Sequence, residues 1–255
     1  SSDIGADDWV ALAAALGSTI GCLLILISAN QALGRHTSYA TPAQVESVLL
    51  LIWLDQINYL IVMALAKTST LLLYTRIFHG EQQRRFRLVC WFTMAVVGLT
   101  SVLLMIFSVI MCRPVEYFWT RVHLLVVPGI DETAAAAAGG KCKDNRPYLY
   151  ANTVISIVTD MVIVVLPIRQ IVGLQMARKK KVTVCALFGL GMIVIVCSIM
   201  RATKVEDAAN ATDPMVNLSG LCVWSLVESA VSVICCCVPA SHRLIRDFFV
   251  DLFGR

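Results

Sequence analysis

Six long apolar runs, separated by short polar stretches, dominate this 255-residue chain. They cover 8–33, 44–78, 88–111, 148–172, 182–200 and 215–238. A helix needs roughly 20 apolar residues to cross a hydrocarbon core about 30 Å thick, so each run is a candidate membrane span. The second run organises the others. As one helix of about 35 residues it would measure about 52 Å, so it must tilt or project beyond the headgroups. It carries Asp55, Gln56, Asn58 and Lys67 inside its span. A lysine at that depth costs roughly 2.5–3.5 kcal/mol on insertion scales, so it must face protein or water, and other helices must supply its partners.

The segments between the runs are short and polar, with one exception. A turn containing Gly34, Arg35, His36 and Pro42 leads into the second run, and a basic loop follows it. The exception is the stretch after Cys112, which reaches Arg146 through alanines 134–138 and Gly139-Gly140; it is expected to be unstructured. Pro167 predicts a kink near the end of the fourth span. Pro239 is expected to close the sixth. Beyond it, Leu244, Ile245, Phe248, Phe249, Leu252 and Phe253 recur at helical spacing, with Arg243, Arg246, Asp247 and Asp251 on the other faces. That period predicts an amphipathic helix on the inner membrane surface. The organisation is thus a transmembrane bundle over 1–240 and a juxtamembrane tail over 241–255. The chain opens on Ser1 without a starting Met, which suggests a piece of a longer protein.

Composition supports this class: 58% of residues are hydrophobic and 15% charged, and mean hydropathy is +0.77. A soluble domain carries about 25% charged residues. A net charge of +4 is too small to argue for nucleic acid. Charge placement says more. Loops 76–87 and 169–181 hold four and five Lys/Arg, against one and two in 34–44 and 201–214. The positive-inside rule puts the first pair in the cytoplasm. The sequons at Asn210 and Asn217 then fall on or near the outer side, as glycosylation requires. Cys112 and Cys142 also fall outside, where a disulfide persists. The other eight cysteines sit in apolar or inner positions, so these two are expected to pair and to hold Trp119 with its loop over the outer mouth of the bundle.

Candidate chemistry is confined to polar residues inside the spans. Gln56 and Lys67 share a helical face, whereas Asp55 points about 120° away. Asp160 lies mid-way along the fourth span, beside a stripe of Asn152, Ser156 and Thr159. Arg201 follows the fifth span, and Glu228 lies mid-way along the sixth, on a stripe with Asn217 and Trp224. Lys67 is expected to pair with Asp160 or Glu228, and Asp55 with Arg201. Such a set is either a ligand or proton site or a buried ion-pair network that fixes helix register. Trp53 and Trp224 fit packing better than an aromatic cage. No zinc spacing, nucleotide glycine loop or hydrolase motif is present, so no metal or cofactor is expected.

A series of short motifs runs through the chain in order. It comprises Asp7-Asp8-Trp9 ahead of a span, Lys67-Thr68-Ser69, and Leu73-Tyr74-Thr75-Arg76-Ile77-Phe78. Cys112-Arg113-Pro114 with Trp119, Gly140-Lys141-Cys142, and Asp160 with Pro167 follow. Ser198 to Arg201, then Trp224, Glu228 and Pro239, complete it. In that order they resemble the fungal rhodopsin-like integral membrane domain family, GPCR-like proteins of filamentous fungi of the plant-pathogen surface-sensing type. The resemblance implies an all-α bundle of seven transmembrane helices with the Asp-Asp-Trp motif after the first. This chain would then hold about six of them, helices two to seven. Retinal is not expected, because 218–238 contains no lysine for a Schiff base.

The function this implies is a plasma-membrane, GPCR-like receptor for a small or apolar extracellular cue. Its partners would be the bilayer, a small-molecule ligand and a cytoplasmic signalling protein at loops 76–87 and 169–181. The alternative is a membrane-embedded enzyme using Asp160, Glu228 or Asp55 as acid or base on a lipophilic secondary metabolite.

Overall fold

The computed structural model describes residues 5–77, 84–120, 140–168, 178–209 and 214–253. The long helices are α1 (Ala6–Gln31), α2 (Pro42–Ile77) and α3 (Arg84–Ile110). A short α4 (Tyr117–Thr120) precedes α5 (Arg146–Val165), α6 (Arg178–Ala209) and α7 (Pro214–Phe253). Six of these are long and apolar enough to span a membrane. Their outward side chains, among them Leu16, Leu23, Phe92, Leu103, Val154 and Ile193, are apolar and exposed. That belt belongs against lipid tails, and the chain is a multi-pass membrane protein.

Helix α2 is the axis of the bundle, and its start is built locally. Thr41 N–H donates to Gln44 Oε1 (3.0 Å) and Gln44 N–H to Thr41 Oγ1 (3.4 Å), a reciprocal cap, with Pro42 at the first helical position. Its apolar faces are then buried in three successive clusters. Val45, Val48 and Leu49 pack with Ile25, Met215 and Cys222. Val62 and Ala66 meet Ala11, Ala14, Val233 and Cys236. Leu71 and Tyr74 join Phe86, Cys90, Ile163 and Val194. Helix α1 lies close along α2 because Gly17 and Gly21 face it. A Cβ at Gly17 would come within 2.6 Å of Val62, and one at Gly21 within 2.8 Å of Asn58. Asn58 Nδ2 uses that proximity to donate to the Gly17 carbonyl at 3.1 Å.

Past α3 the chain forms a two-residue antiparallel pair, β1 (Cys112–Arg113) with β2 (Lys141–Cys142). Cys112 and Cys142 are bonded, as the outer-loop assignment predicted. Helix α4 is held against this pair: the Tyr117 ring fills the space where any side chain at Gly140 would stand. Residues 121–139, with the alanine run, lie outside the described residues.

Of two boundaries marked by proline, one follows the sequence pattern and one does not. Helix α5 ends at Val165, Leu166 keeps helical geometry (φ −55°, ψ −47°) and residue 168 is helical again, so the helix is interrupted at Pro167, where the kink was expected. Pro167 has no N–H to continue the helical hydrogen-bond ladder, which explains an interruption there. Conversely, α7 runs through Pro239 to Phe253 as one helix. A proline removes one backbone hydrogen bond but does not by itself stop a long helix, so the break expected there is absent. Of the two sequons, Asn210 lies outside the described residues, and Asn217 is half-buried near the start of α7.

Candidate functional site

Four charged side chains from four helices meet inside the bundle. Lys67 of α2 is 8% exposed, Asp160 of α5 5%, Arg201 of α6 2% and Glu228 of α7 0%. Lys67 Nζ lies 3.2 Å from Asp160 Oδ1 and donates to Thr159 Oγ1 (2.7 Å), Ser156 Oγ (3.1 Å) and the Ser156 carbonyl (3.2 Å). This is one of the two pairings that depth along the spans allowed. Arg201 Nε lies 2.5 Å from Glu228 Oε2, and its guanidinium stands 5.2 Å from the centre of the Tyr59 ring. That contact is an approach of charges rather than an aligned hydrogen bond, and Nη2 is left without a partner among the described residues. The charges balance as two cations and two anions.

Hydroxyls join the two pairs. Ser198 Oγ lies 2.5 Å from Glu228 Oε1 and 3.3 Å from Asp160 Oδ2, so one serine sits between the carboxylates. Ser156 Oγ is 3.4 Å from Glu228 Oε1. Tyr59 OH donates to Glu228 Oε2 at 2.8 Å. In a low-dielectric interior such charges persist only when paired and hydrogen-bonded, and here each carboxylate has both.

The expected partnership of Asp55 with Arg201 is corrected. Helix α6 continues to Ala209, so Arg201 lies two turns inside the helix, not at its outer end, and its long side chain reaches Glu228. Asp55 lies toward α1, where a Cβ on Gly21 would stand 3.1 Å from its Oδ1.

Asp55 and Gln56 belong to a second, separate feature. A cavity of about 140 Å³ opens between α2, α3, α4, α5 and α7 at the disulfide end of the bundle. Its walls include Trp53, Asp55, Gln56, Tyr59, Phe118, Asn145, Tyr148 and Ser225. Gln56 Nε2 donates to Tyr148 OH at 3.3 Å, and Tyr148 stacks on Phe107 at 5.9 Å. Trp119 of α4 rests on Trp53 with ring centres 5.7 Å apart. The Cys112–Cys142 bond therefore anchors an aromatic cover, with Phe118 turned into the cavity. Trp224 is half-buried and is not among the lining residues.

Tyr59 connects the two features, since it lines the cavity and bonds the tetrad. Sequence reasoning missed it, although it falls on the face that Gln56 and Lys67 share, at 56, 59, 63 and 67. Below the tetrad, Lys67, Asp160, Thr70, Tyr74 and Cys235 border a smaller gap of about 40 Å³. At the far end Arg76 Nη1 contacts Asp7 Oδ1 (3.0 Å) and Asp8 Oδ2 (3.3 Å), and Ser69 Oγ donates to the Asp7 carbonyl (2.9 Å). The Asp-Asp motif thus clamps the start of α1 to the end of α2.

The family model described as the fungal rhodopsin domain matches residues 1–247. The chain is 24% identical over 272 residues to the polyenoic acids biosynthesis gene cluster protein Ba17b of Metarhizium anisopliae, covering 100% of this chain and 68% of that protein. It is 26% identical over 220 residues to a SAT4 family membrane protein of Emericella nidulans, covering 85% and 51%. It is also 26% identical over 244 residues to the Receptor GIN3 of Arthrobotrys oligospora, covering 93% and 54%. The chain therefore spans about half the length of the last two relatives. No solved structure matches it.

Proposed function

The chain belongs to the fungal rhodopsin domain family, and we propose that it works in the plasma membrane as a GPCR-like receptor for a small, largely apolar extracellular cue. The observation that carries this is the double role of Tyr59, which walls the cavity and donates to the buried Glu228. A ligand seated among Trp53, Phe118 and Tyr148 presses on a ring whose hydroxyl holds one oxygen of the tetrad. Moving that ring changes the balance between Tyr59 and Arg201 at Glu228, and with it the fit of α2, α6 and α7. Packed interfaces tend to switch between discrete arrangements rather than deform smoothly, so a small push has two stable outcomes.

In this proposal the cavity faces outward, and Asn210 or Asn217 accepts glycan on that side. The basic loops 76–87 and 169–181 face a cytoplasmic signalling protein; Arg84, Arg85 and Arg87 are exposed there. Retinal has no part in it, since Lys67 Nζ is engaged by Asp160, Ser156 and Thr159. The name of the relative Receptor GIN3 supports a receptor. The biosynthesis-cluster names of other relatives favour the second reading, a membrane-embedded enzyme acting on a lipophilic metabolite. Of the three candidate acids only Asp55 lines the cavity, so an enzyme would have to rest on Asp55.

A thermal-melt screen tests the receptor. The full-length protein in nanodiscs is challenged with small apolar and amphipathic compounds, beside a Ser225→Trp variant whose cavity is plugged. Compounds that raise the melting temperature of the native protein, lose that effect in the variant and are recovered unchanged are the expected result. Equal effects in both proteins would overturn the cavity as the site, and chemical conversion of the compound would favour the enzyme.

A further inference from the structure

Taking the cavity as the receptor's ligand site, we infer that it selects a protonated amine on a small aromatic or compact apolar body, with Asp55 as counter-ion. The walls offer two unpartnered acceptors, while three of their donors are committed elsewhere. Gln56 Nε2 donates to Tyr148, Ser225 Oγ to the Leu221 carbonyl at 2.9 Å, and Tyr59 OH to Glu228. The acceptors are left over. Asp55 lines the cavity at its α1 side, its carboxylate has no hydrogen bond or ion pair among the described residues, and no Lys, Arg or His lines the cavity with it. Asn145 Oδ1 is buried without a partner among the described residues. Asn145 also stands at the N-cap of α5, where its side chain makes no capping bond and so stays free for a ligand.

An uncompensated carboxylate in an apolar pocket is unfavourable, and it is relieved by a cation or by a proton. The surroundings favour a cation. Trp53, Phe118 and Tyr148 present ring surface, which attracts an ammonium group through its quadrupole. An ammonium has hydrogens enough for both Asp55 and Asn145 Oδ1, whereas a carboxylate ligand would be repelled by Asp55 and leave Asn145 Oδ1 unpaired. Size sets the body: about 140 Å³ is close to the roughly 150 Å³ of a cavity that holds benzene. A single ring with a one-carbon arm to the nitrogen fills it.

The test is isothermal titration of the full-length protein in zwitterionic nanodiscs with benzylamine, benzyl alcohol and benzoate. Benzylamine is expected to bind at least about tenfold tighter than benzyl alcohol, with benzoate not binding, since a charge-assisted bond is about twice as strong as a neutral one. Asp55→Asn is expected to erase that preference while leaving benzyl alcohol unchanged. Asn145→Ala is expected to weaken benzylamine by a smaller factor. Should Asp55→Asn fail to fold, the ranking of the three probes on the native protein decides alone. Benzyl alcohol binding as tightly as benzylamine overturns the amine, as expected of a protonated Asp55, and leaves the receptor cavity standing. Binding by none of the three probes overturns it as well. If the compound screen also finds no compound that the Ser225→Trp plug blocks, the receptor proposal falls separately.

Discussion

The tetrad and the cavity are built from the same kinds of residue, with Asp55 and Lys67 about three helical turns apart on α2, yet they are finished differently. In the tetrad each carboxylate has a cation and at least one hydroxyl, and all four charged side chains are under a tenth exposed. In the cavity the Asp55 carboxylate and the Asn145 oxygen have no such complement among the described residues. Matched polar groups stabilise a particular arrangement of helices; unmatched ones leave binding energy for something that arrives later. On the proposal above, the two readings left open for the intramembrane charges, register or ligand, apply to different members of the set.

The largest expected effect lies on the matched side. Glu228→Gln leaves Arg201 charged, buried and without its counter-ion, and breaking a buried pair from one side costs about 3–5 kcal/mol. Thermal unfolding in nanodiscs should register that loss. The comparison sharpens with Lys67→Met and Asp160→Leu: either change alone should destabilise by a similar amount, and the two together should recover most of it. A double variant no better than the singles would mean that the pair does more than balance charge.

Removing the cover comes next. Cys142→Ser opens a loop of 30 residues, for which chain entropy gives about 3–4 kcal/mol. Cavity ligands should lose affinity in that variant, because α4 loses its anchor. Non-reducing peptide mapping of the native protein checks the premise, and a free, alkylatable Cys142 there would refute it. A smaller effect is expected at the junction. Tyr59→Phe keeps the ring and deletes one donor to Glu228, worth about 1.5–3 kcal/mol for a bond to a charged group. Ligand affinity should hold while the signalling response falls; a parallel loss of both would make Tyr59 only a wall residue. The smallest change is Asp55→Asn without ligand, expected within about 1 kcal/mol because no partner is broken. A loss as large as that of Glu228→Gln would erase the distinction between the regions.

Hydropathy made the six spans legible, because water and lipid sort side chains on each helix without reference to its neighbours. Depth was legible too, and it left Asp160 and Glu228 as the two candidate partners of Lys67. Adjacency was not. Counting along α2 places Asp55 and Lys67 on their own faces, but which helix stands opposite depends on packing such as Gly17 and Gly21 against α2. Arg201 was misjudged because its helix was expected to end at the last residue of the apolar run, whereas residues 202–209, which include Lys204, Glu206 and Asp207, remain helical beyond it. The cavity was illegible in outline, since Phe118 and Asn145 come from segments that carry no periodic signal.

The unbroken length of α2 has a mechanical corollary. Between Ala43 and Ile77 it contains neither glycine nor a second proline, so it has no built-in hinge. Its 36 residues make a stiff rod about 54 Å long, and a rocking of about 5° around its middle would carry each tip about 2 Å in opposite directions. One tip stands beside the covered mouth and the other bears Arg76 in the grip of Asp7 and Asp8. A see-saw of this kind needs no chain of adjusting contacts, only a fulcrum, and the immobilised ammonium of Lys67 lies between the two arms.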